Sequence, residues 1–205
     1  MKQHWREFWN ERYSQDGAYF GEAPLPFLAG NISVFPEKAK ILLPADGDGR
    51  NGVFLARHGF DVHSFDGSPI GVEKARQAVE EYNVTINAVV SGVEDFVFAP
   101  EEYDAVVVSY FLLEPDLRRV VHGHYIDCLK PGGVLLLEGF TKDQLNYSSG
   151  GPDDPEMLLS EEILRQDFAA LSIEYLEEKI DILDRGAKHQ GEGAVIRMIA
   201  RKPQP

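Results

Sequence analysis

The stretch Ile41-Leu42-Leu43-Pro44-Ala45-Asp46-Gly47-Asp48-Gly49-Arg50-Asn51-Gly52 decides the fold. An apolar run breaks into a glycine-rich, acidic loop and then into a helical pattern beginning Val53-Phe54-Leu55-Ala56. A second apolar run ends at Asp66. A tight strand-to-helix turn with an acid at the next strand tip is a nucleotide-type pocket. Gly47 and Gly49 let the backbone turn sharply and approach a ligand, since no Cβ intervenes. Asp66 is placed to take the hydroxyls of a ribose; the rival role is capping the next helix.

Gly47-x-Gly49-x-x-Gly52 matches the dinucleotide fingerprint literally, so a nicotinamide or flavin ligand has to be weighed. Charge argues against it. A pyrophosphate at a helix N-terminus wants neutral or basic company, and Asp46 and Asp48 flank the first glycine. S-adenosylmethionine has no phosphate and carries positive sulfonium and ammonium groups, which suit an acidic loop. Asp46 is then a partner for the ammonium, with a solvated loop acid as the alternative. Arg50 runs against this argument unless it pairs with a local acid.

The chain has 205 residues, 43% of them hydrophobic, and fits one domain with a sizeable core. Its expected division is an N-terminal helical cap over 1–37, a cofactor-binding core over 38–142, and a lid loop, helix and terminal hairpin over 143–205. No apolar run approaches the roughly 18 residues that a membrane span needs. The polar, aromatic start lacks an apolar signal core, and Cys128 is the only cysteine. Both fit a cytoplasmic protein, and Cys128 reads as a small buried apolar residue. With 34 acids against 20 bases the net charge is −14. Nucleic-acid binding rests largely on phosphate neutralisation, so DNA and RNA are not expected as partners. The oligomeric state is left open.

Outward from the loop, strands are expected at 39–44, 61–66, 85–90, 104–110, 133–140, 173–183 and 193–201. Helices are expected at 4–14, 26–35, 50–59, 69–82, 116–130 and 161–171, with Phe27, Leu28 and Ile32 facing inward in the second. Ser160 reads as an N-cap. Ala105-Val106-Val107-Val108 and Val134-Leu135-Leu136-Leu137 are continuously apolar, as in strands covered on both faces. Strand–helix alternation implies a parallel sheet with right-handed crossovers. Lys130-Pro131-Gly132-Gly133 reads as a helix stop, and the tail from Lys202 as a fraying end. Asp143–Pro155 is a polar loop with Leu145 and Tyr147 available to fold over a ligand.

The chain resembles the class I S-adenosylmethionine-dependent methyltransferases, and within them the small tellurite-resistance/thiopurine-methyltransferase-like group. The likeness rests on Phe8-Trp9-Asn10-Glu11-Arg12-Tyr13 followed by Tyr19-Phe20-Gly21, on Gly47-Asp48-Gly49-Arg50-Asn51, on Asp66-Gly67-Ser68 and on Leu129-Lys130-Pro131-Gly132-Gly133. It implies a Rossmann-like α/β fold: a seven-stranded, mostly parallel sheet with an antiparallel last strand and helices on both faces. It also implies S-adenosylmethionine as cofactor and a small-molecule acceptor. Gly67 and Ser68 then belong to the motif that closes on the ribose. Leu43 and Ala45 stand where many members carry an acid, with Asp46 displaced along the turn. After the third strand the acid often found near the adenine is missing; Glu94 or Asp95 can substitute, or the amides of Val93 and Glu94 can serve the ring.

Ser109 and Tyr110 stand at the tip of the fourth strand, where such folds gather ligands. Phe20 is a candidate aromatic cover on the cofactor, with core packing as its rival. Glu138 ends an apolar strand and is either a pocket residue or a satisfied structural acid. His122 and His124 fall on a helix read as a surface helix, at a spacing that does not face one ligand, so no metal site is expected. Displacement at a sulfonium needs mainly orientation and a dry pocket. A hydroxyl or amine acceptor adds the need for a base, and only Glu138 and His189 are candidates; no catalytic residue is assigned. The alternatives are a non-catalytic S-adenosylmethionine-binding regulator and, third, a nicotinamide-dependent oxidoreductase.

Overall fold

The computed structural model describes residues 2–184, 186 and 189–204. Strands β1 (Lys40–Pro44), β2 (Asp61–Asp66), β3 (Ile86–Val90), β4 (Tyr103–Ser109), β5 (Leu129–Phe140), β6 (Ser172–Asp184) and β7 (Gln190–Arg201) form one sheet in the order β3-β2-β1-β4-β5-β7-β6. β1 to β5 pair in parallel, and β7 runs antiparallel between β5 and β6. Helices α1 (Lys2–Tyr13), α2 (Pro26–Gly30), α3 (Arg50–Arg57), α4 (Pro69–Glu81), α5 (Pro115–Cys128) and α6 (Glu161–Asp167) complete the order. This is the Rossmann-like, seven-stranded α/β fold with an antiparallel last strand.

The continuous apolar strands hide an alternation of faces. Val106 and Val108 join Leu135, Leu137 and Tyr125 in one buried cluster. Ala105 and Val107 join Val134, Leu136 and Leu55 in another. Both faces are covered, so period two is invisible in the sequence although the side chains obey it. Each fully buried Val or Leu here contributes roughly 1.5–3 kcal/mol. The sheet turns back on its own strand order between β1 and β4, whose carboxyl ends open a crevice.

Several local expectations change. The second helix stops at Gly30 and gives way to a 3-10 turn over Ile32–Val34, with Phe27 and Leu28 buried and Ile32 only partly so. Lys130-Pro131-Gly132-Gly133 does not lie outside the strand. It is the opening of β5, where the Gly132 amide donates to Lys202 O and the Lys202 amide to Gly133 O. Those bonds, and Lys202 Nζ on the carbonyls of Ile126 and Leu129, hold the tail that was expected to fray. Ser160 does cap α6, accepting from the Ile163 amide. Of the loop joining β6 to β7, Arg185, Ala187 and Lys188 lie outside the described residues.

Candidate active site

The glycine loop is built by close contacts that a larger residue forbids. Gly49 has φ 84 and starts α3, and a Cβ there would stand 2.6 Å from the Ala75 Cβ of α4. Gly47 has φ 59, and a Cβ there would stand 2.1 Å from the Tyr13 hydroxyl of α1. The turn is thus left-handed and roofed by the N-terminal helix. Ala45, with φ 51, is a strained non-glycine residue at the tip of β1. Asp66 braces the loop from β2: its Oδ2 accepts from the Gly47 amide at 2.9 Å and its Oδ1 from the Ser68 amide at 2.7 Å.

Three carboxylates meet here. Asp46 Oδ2 accepts from the Gly52 amide at 3.1 Å, while its Oδ1 is shut from solvent without a hydrogen-bond partner among the described residues. Asp48 Oδ2 accepts from the Tyr19 amide at 3.1 Å. Burial pushes the carboxyl of Asp66 up to about 6. It also raises Asp46 and Asp48, with Asp48 adding to the rise at Asp46 and Arg50 opposing it. Burial raises Tyr13 too, reinforced by Asp66, Asp48 and Asp46. Such a cluster gains free energy from a cation placed among its members.

A cavity of about 710 Å³ opens above the carboxyl ends of β1, β2 and β4. That is the size range of a small-molecule site. Phe20, Asp46, Asp66, Gly67, Val93, Glu94, Ser109 and Tyr110 all line it. Gly47, Gly49 and Ser68 do not stand on its wall. Ser68 is fully buried, caps α4 by accepting from the Gly71 amide, and donates to Asn10 Oδ1 at 2.6 Å. Past β3, the amides of Asp95 and Phe96 donate to the Gly92 carbonyl, a turn that brings Val93 and Glu94 to the cavity.

Sequence reasoning missed much of the wall. Trp5, Phe8 and Trp9 of α1 overhang it, and Phe111, Leu112, Leu113 and Met157 floor it. The spacing of the α1 aromatics signalled only one face of a helix, not what that face covers. Asn51 was also missed as a functional position. It accepts from the Leu25 amide at 3.0 Å and donates to Ser109 Oγ at 3.3 Å, tying the N-terminal segment to the tip of β4. Its one signal was its place in the Gly-Arg-Asn run. A smaller cavity of about 320 Å³ shares the Asp48 and Arg50 wall from the outside of the loop.

At the far end, Tyr110 sits at φ 53 and its hydroxyl donates to Glu138 Oε1 at 2.6 Å. Arg197 Nε donates to the other Glu138 oxygen at 3.2 Å and its NH2 group to Asp181. Glu138 is therefore a satisfied structural acid and not a base. His189 lines the cavity and is 7% exposed. The 143–155 segment reaches the cavity through Gly150, Gly151 and Pro152. It is anchored by buried Gln144, whose Nε2 donates to Ser149 Oγ and Gly150 O and whose Oε1 accepts from the Ala194 amide. Leu145, expected to fold inward, is 49% exposed.

His122 is not on a surface face: it is 3% exposed, with Nδ1 2.8 Å from Asp167 Oδ2 of α6. Arg118 Nε shares the same oxygen at 3.0 Å. Among the described residues no group of three His, Cys, Asp or Glu side chains is placed to hold a metal, and no helix is long and apolar enough to cross a membrane. Cys128 is buried.

Residues 41–133 match the methyltransferase domain family. That match takes in the segment from β1 to the opening of β5, somewhat under half of the chain. A tRNA (uracil(54)-C(5))-methyltransferase of Pyrococcus abyssi (strain GE5 / Orsay) is 35% identical over 123 residues. That alignment takes in 57% of this chain, and the chain spans only 28% of that relative's length. A structure described as the conversion of a disulfide bond into a thioacetal group during echinomycin biosynthesis superposes with TM-score 0.78 at 20% identity, over 98% of this chain and 92% of that one. A SAM-dependent methyltransferase of Methanosarcina mazei superposes with TM-score 0.72 at 18% identity, over 89% of this chain and 100% of that one. At these identities the two structures speak for the fold.

Proposed function

We propose that this protein is an S-adenosylmethionine-dependent methyltransferase that acts on a small, largely apolar molecule in the cytoplasm, with a soft nucleophile such as a thiol as acceptor. The observation that carries the reading is the buried acidic cluster at the glycine loop, with Asp46 Oδ1 lacking a partner among the described residues. It fits the cationic methionine end of S-adenosylmethionine and repels a pyrophosphate. Asp66, at the tip of β2, is suited to the ribose hydroxyls, since each carboxylate oxygen keeps a second lone pair beyond its backbone bond. On this reading Val93 and Glu94, which line the cavity after β3, would serve the adenine, and Phe20 and Tyr110 would flank the methyl group.

When bound, S-adenosylmethionine supplies an activated methyl group open to in-line displacement. The protein's residues orient the acceptor and exclude water. Trp9, Phe20, Phe140 and Met157 present apolar surface to the acceptor, and Gly150-Gly151-Pro152 closes the wall. This retained wall favours an enzyme over a cofactor-binding regulator. The sulfur chemistry described for the echinomycin-pathway structure supports a sulfur acceptor on this fold. Membership of the tellurite-resistance/thiopurine-like group rests on the Phe-Trp-Asn-Glu-Arg-Tyr and Gly-Asp-Gly-Arg-Asn motifs.

Titration calorimetry with S-adenosylmethionine, S-adenosylhomocysteine and NAD tests the cofactor. Binding of the first two and not of NAD is expected; NAD binding without response to S-adenosylmethionine overturns the reading. The tRNA-modifying relative motivates an RNA acceptor as a second reading. A net charge of −14 opposes it. Salt-dependent retention of this chain on tRNA would decide for RNA.

A further inference from the structure

We propose that His189 is the general base that takes the proton of the acceptor. This rests on the methyltransferase reading above and names the group that completes it.

Four observations carry the proposal. First, His189 lines the large cavity while only 7% exposed, so its imidazole belongs to the site and not to the outer surface. Second, its ring is boxed at the methyl end: 4.7 Å from the Phe20 ring, 5.2 Å from Tyr110 and 5.4 Å from Phe140. Those rings come from the N-terminal segment and from the carboxyl ends of β4 and β5, where the reacting group belongs. Third, Glu138, the carboxylate bonded to Tyr110, does not stand on the cavity wall. Both oxygens of Glu138 accept hydrogen bonds, from Tyr110 and from Arg197. Fourth, Asp46 and Asp66 stand at the glycine loop, where they accept from the Gly52, Gly47 and Ser68 amides, and not among the rings that surround His189. Among the described residues His189 is the one histidine of the cavity wall, and an imidazole is the side chain suited to proton transfer near neutral pH.

The titratable group facing the ring among the described residues is the Tyr110 phenol, with Glu138 and Arg197 behind it; Arg50 lies beyond Phe20, 5.6 Å from that ring. The step balances simply. His189 accepts the proton of an X–H acceptor, and the X–H pair forms the new bond to the methyl carbon. The carbon–sulfonium bond breaks and its electrons stay on sulfur as a neutral thioether. The imidazolium then returns its proton to solvent.

The test begins without turnover. In histidine-labelled protein, with resonances assigned by His189→Gln, saturating S-adenosylhomocysteine should shift the His189 signals while those of His58, remote from the cavity, stay in place. If S-adenosylhomocysteine binds by calorimetry and leaves His189 unmoved, the proposal is overturned while the cofactor reading stands. If it does not bind at all, the cofactor reading itself fails. The second arm uses two probe thiols, 2-phenylethanethiol, which is protonated at neutral pH, and 4-nitrothiophenol, which is already ionised. His189→Gln should reduce kcat/KM at pH 7 at least tenfold more for the first than for the second, and the deficit should shrink as pH rises toward the thiol's own ionisation. Equal losses on both thiols, an unchanged pH profile, or no turnover of either by protein that binds S-adenosylmethionine overturns the assignment.

Discussion

Asp66 Oδ2 accepts the Gly47 amide proton at 2.9 Å, so the tip of β2 and the turn after β1 are one unit. The acid proposed for the ribose also holds the loop that carries Asp46 and Asp48. Loss of Asp66 therefore acts on the binding of ligand and on the shape of the loop together.

Asp66→Ala should weaken S-adenosylhomocysteine binding by roughly 1–3 kcal/mol, the usual cost of removing a charged hydrogen-bond partner. The wild-type affinity should depend on pH. Asp66, raised to about 6 by burial, is ionised above that pH and there accepts hydroxyl hydrogen bonds with both oxygens. Its contribution to the stability of the ligand-free protein has the opposite sign: it is present below the unfolded carboxyl value and lost as pH rises through about 6. Affinity should thus fall, and the contribution of Asp66 itself to ligand-free stability rise, as pH drops from 7 to 5. Asp66→Asn should flatten the affinity trend in calorimetry; an unchanged slope would place the titration elsewhere in the cluster.

Gly47→Ala should displace α1. Its Cβ would stand 2.1 Å from the Tyr13 hydroxyl at φ 59. Overpacking and left-handed strain together cost on the order of 2–4 kcal/mol. Denaturant unfolding should show that loss, and adding Tyr13→Ala should restore only the steric part. Full stability in the single variant would mean that the roof of the loop is slack.

Asp167→Asn should destabilise the protein by about 3–5 kcal/mol, because it leaves buried Arg118 and His122 without their shared acid. Burial holds the His122 value below the ordinary range despite Asp167. Hydrogen bonds from His122 and Arg118 hold Asp167 low against its own burial. Both depressed values give stability that is present at neutral pH and lost on acidification, beginning below the ordinary histidine value of about 6.5. Acid titration of the wild type, followed by circular dichroism, should show a transition that His122→Phe moves to lower pH.

Replacing residues 147–151 with a short neutral linker should lower turnover at least about tenfold, near 1.4 kcal/mol in activation free energy. Cofactor affinity should change much less, since the glycine loop and Asp66 lie apart from the segment. Gln144→Ala removes the anchor on Ser149, Gly150 and Ala194 and should reproduce part of the defect. Equal losses of binding and turnover would make the segment part of the cofactor wall.

All seven strands were legible because their signals are local. Val134 to Leu137 or Val106 to Val108 read as buried strands from apolar runs between turn residues, and Gly47-Asp48-Gly49 fixed the turn between β1 and α3 by chemistry carried in adjacent positions. The acidic loop and Asp66 were legible for the same reason. What only the tertiary structure decided are pairings across long separations. His122 is a core residue because Asp167 and Phe168, 45 and 46 positions on, close over it. Glu138 is a structural acid because Arg197 arrives from an antiparallel strand 59 residues later. Ser68 turned from the cavity to Asn10 because α1 packs on α4. Whether a polar side chain serves ligand, core or cap depends on which partner satisfies it once buried, and that partner is chosen by the fold and not by the neighbouring sequence.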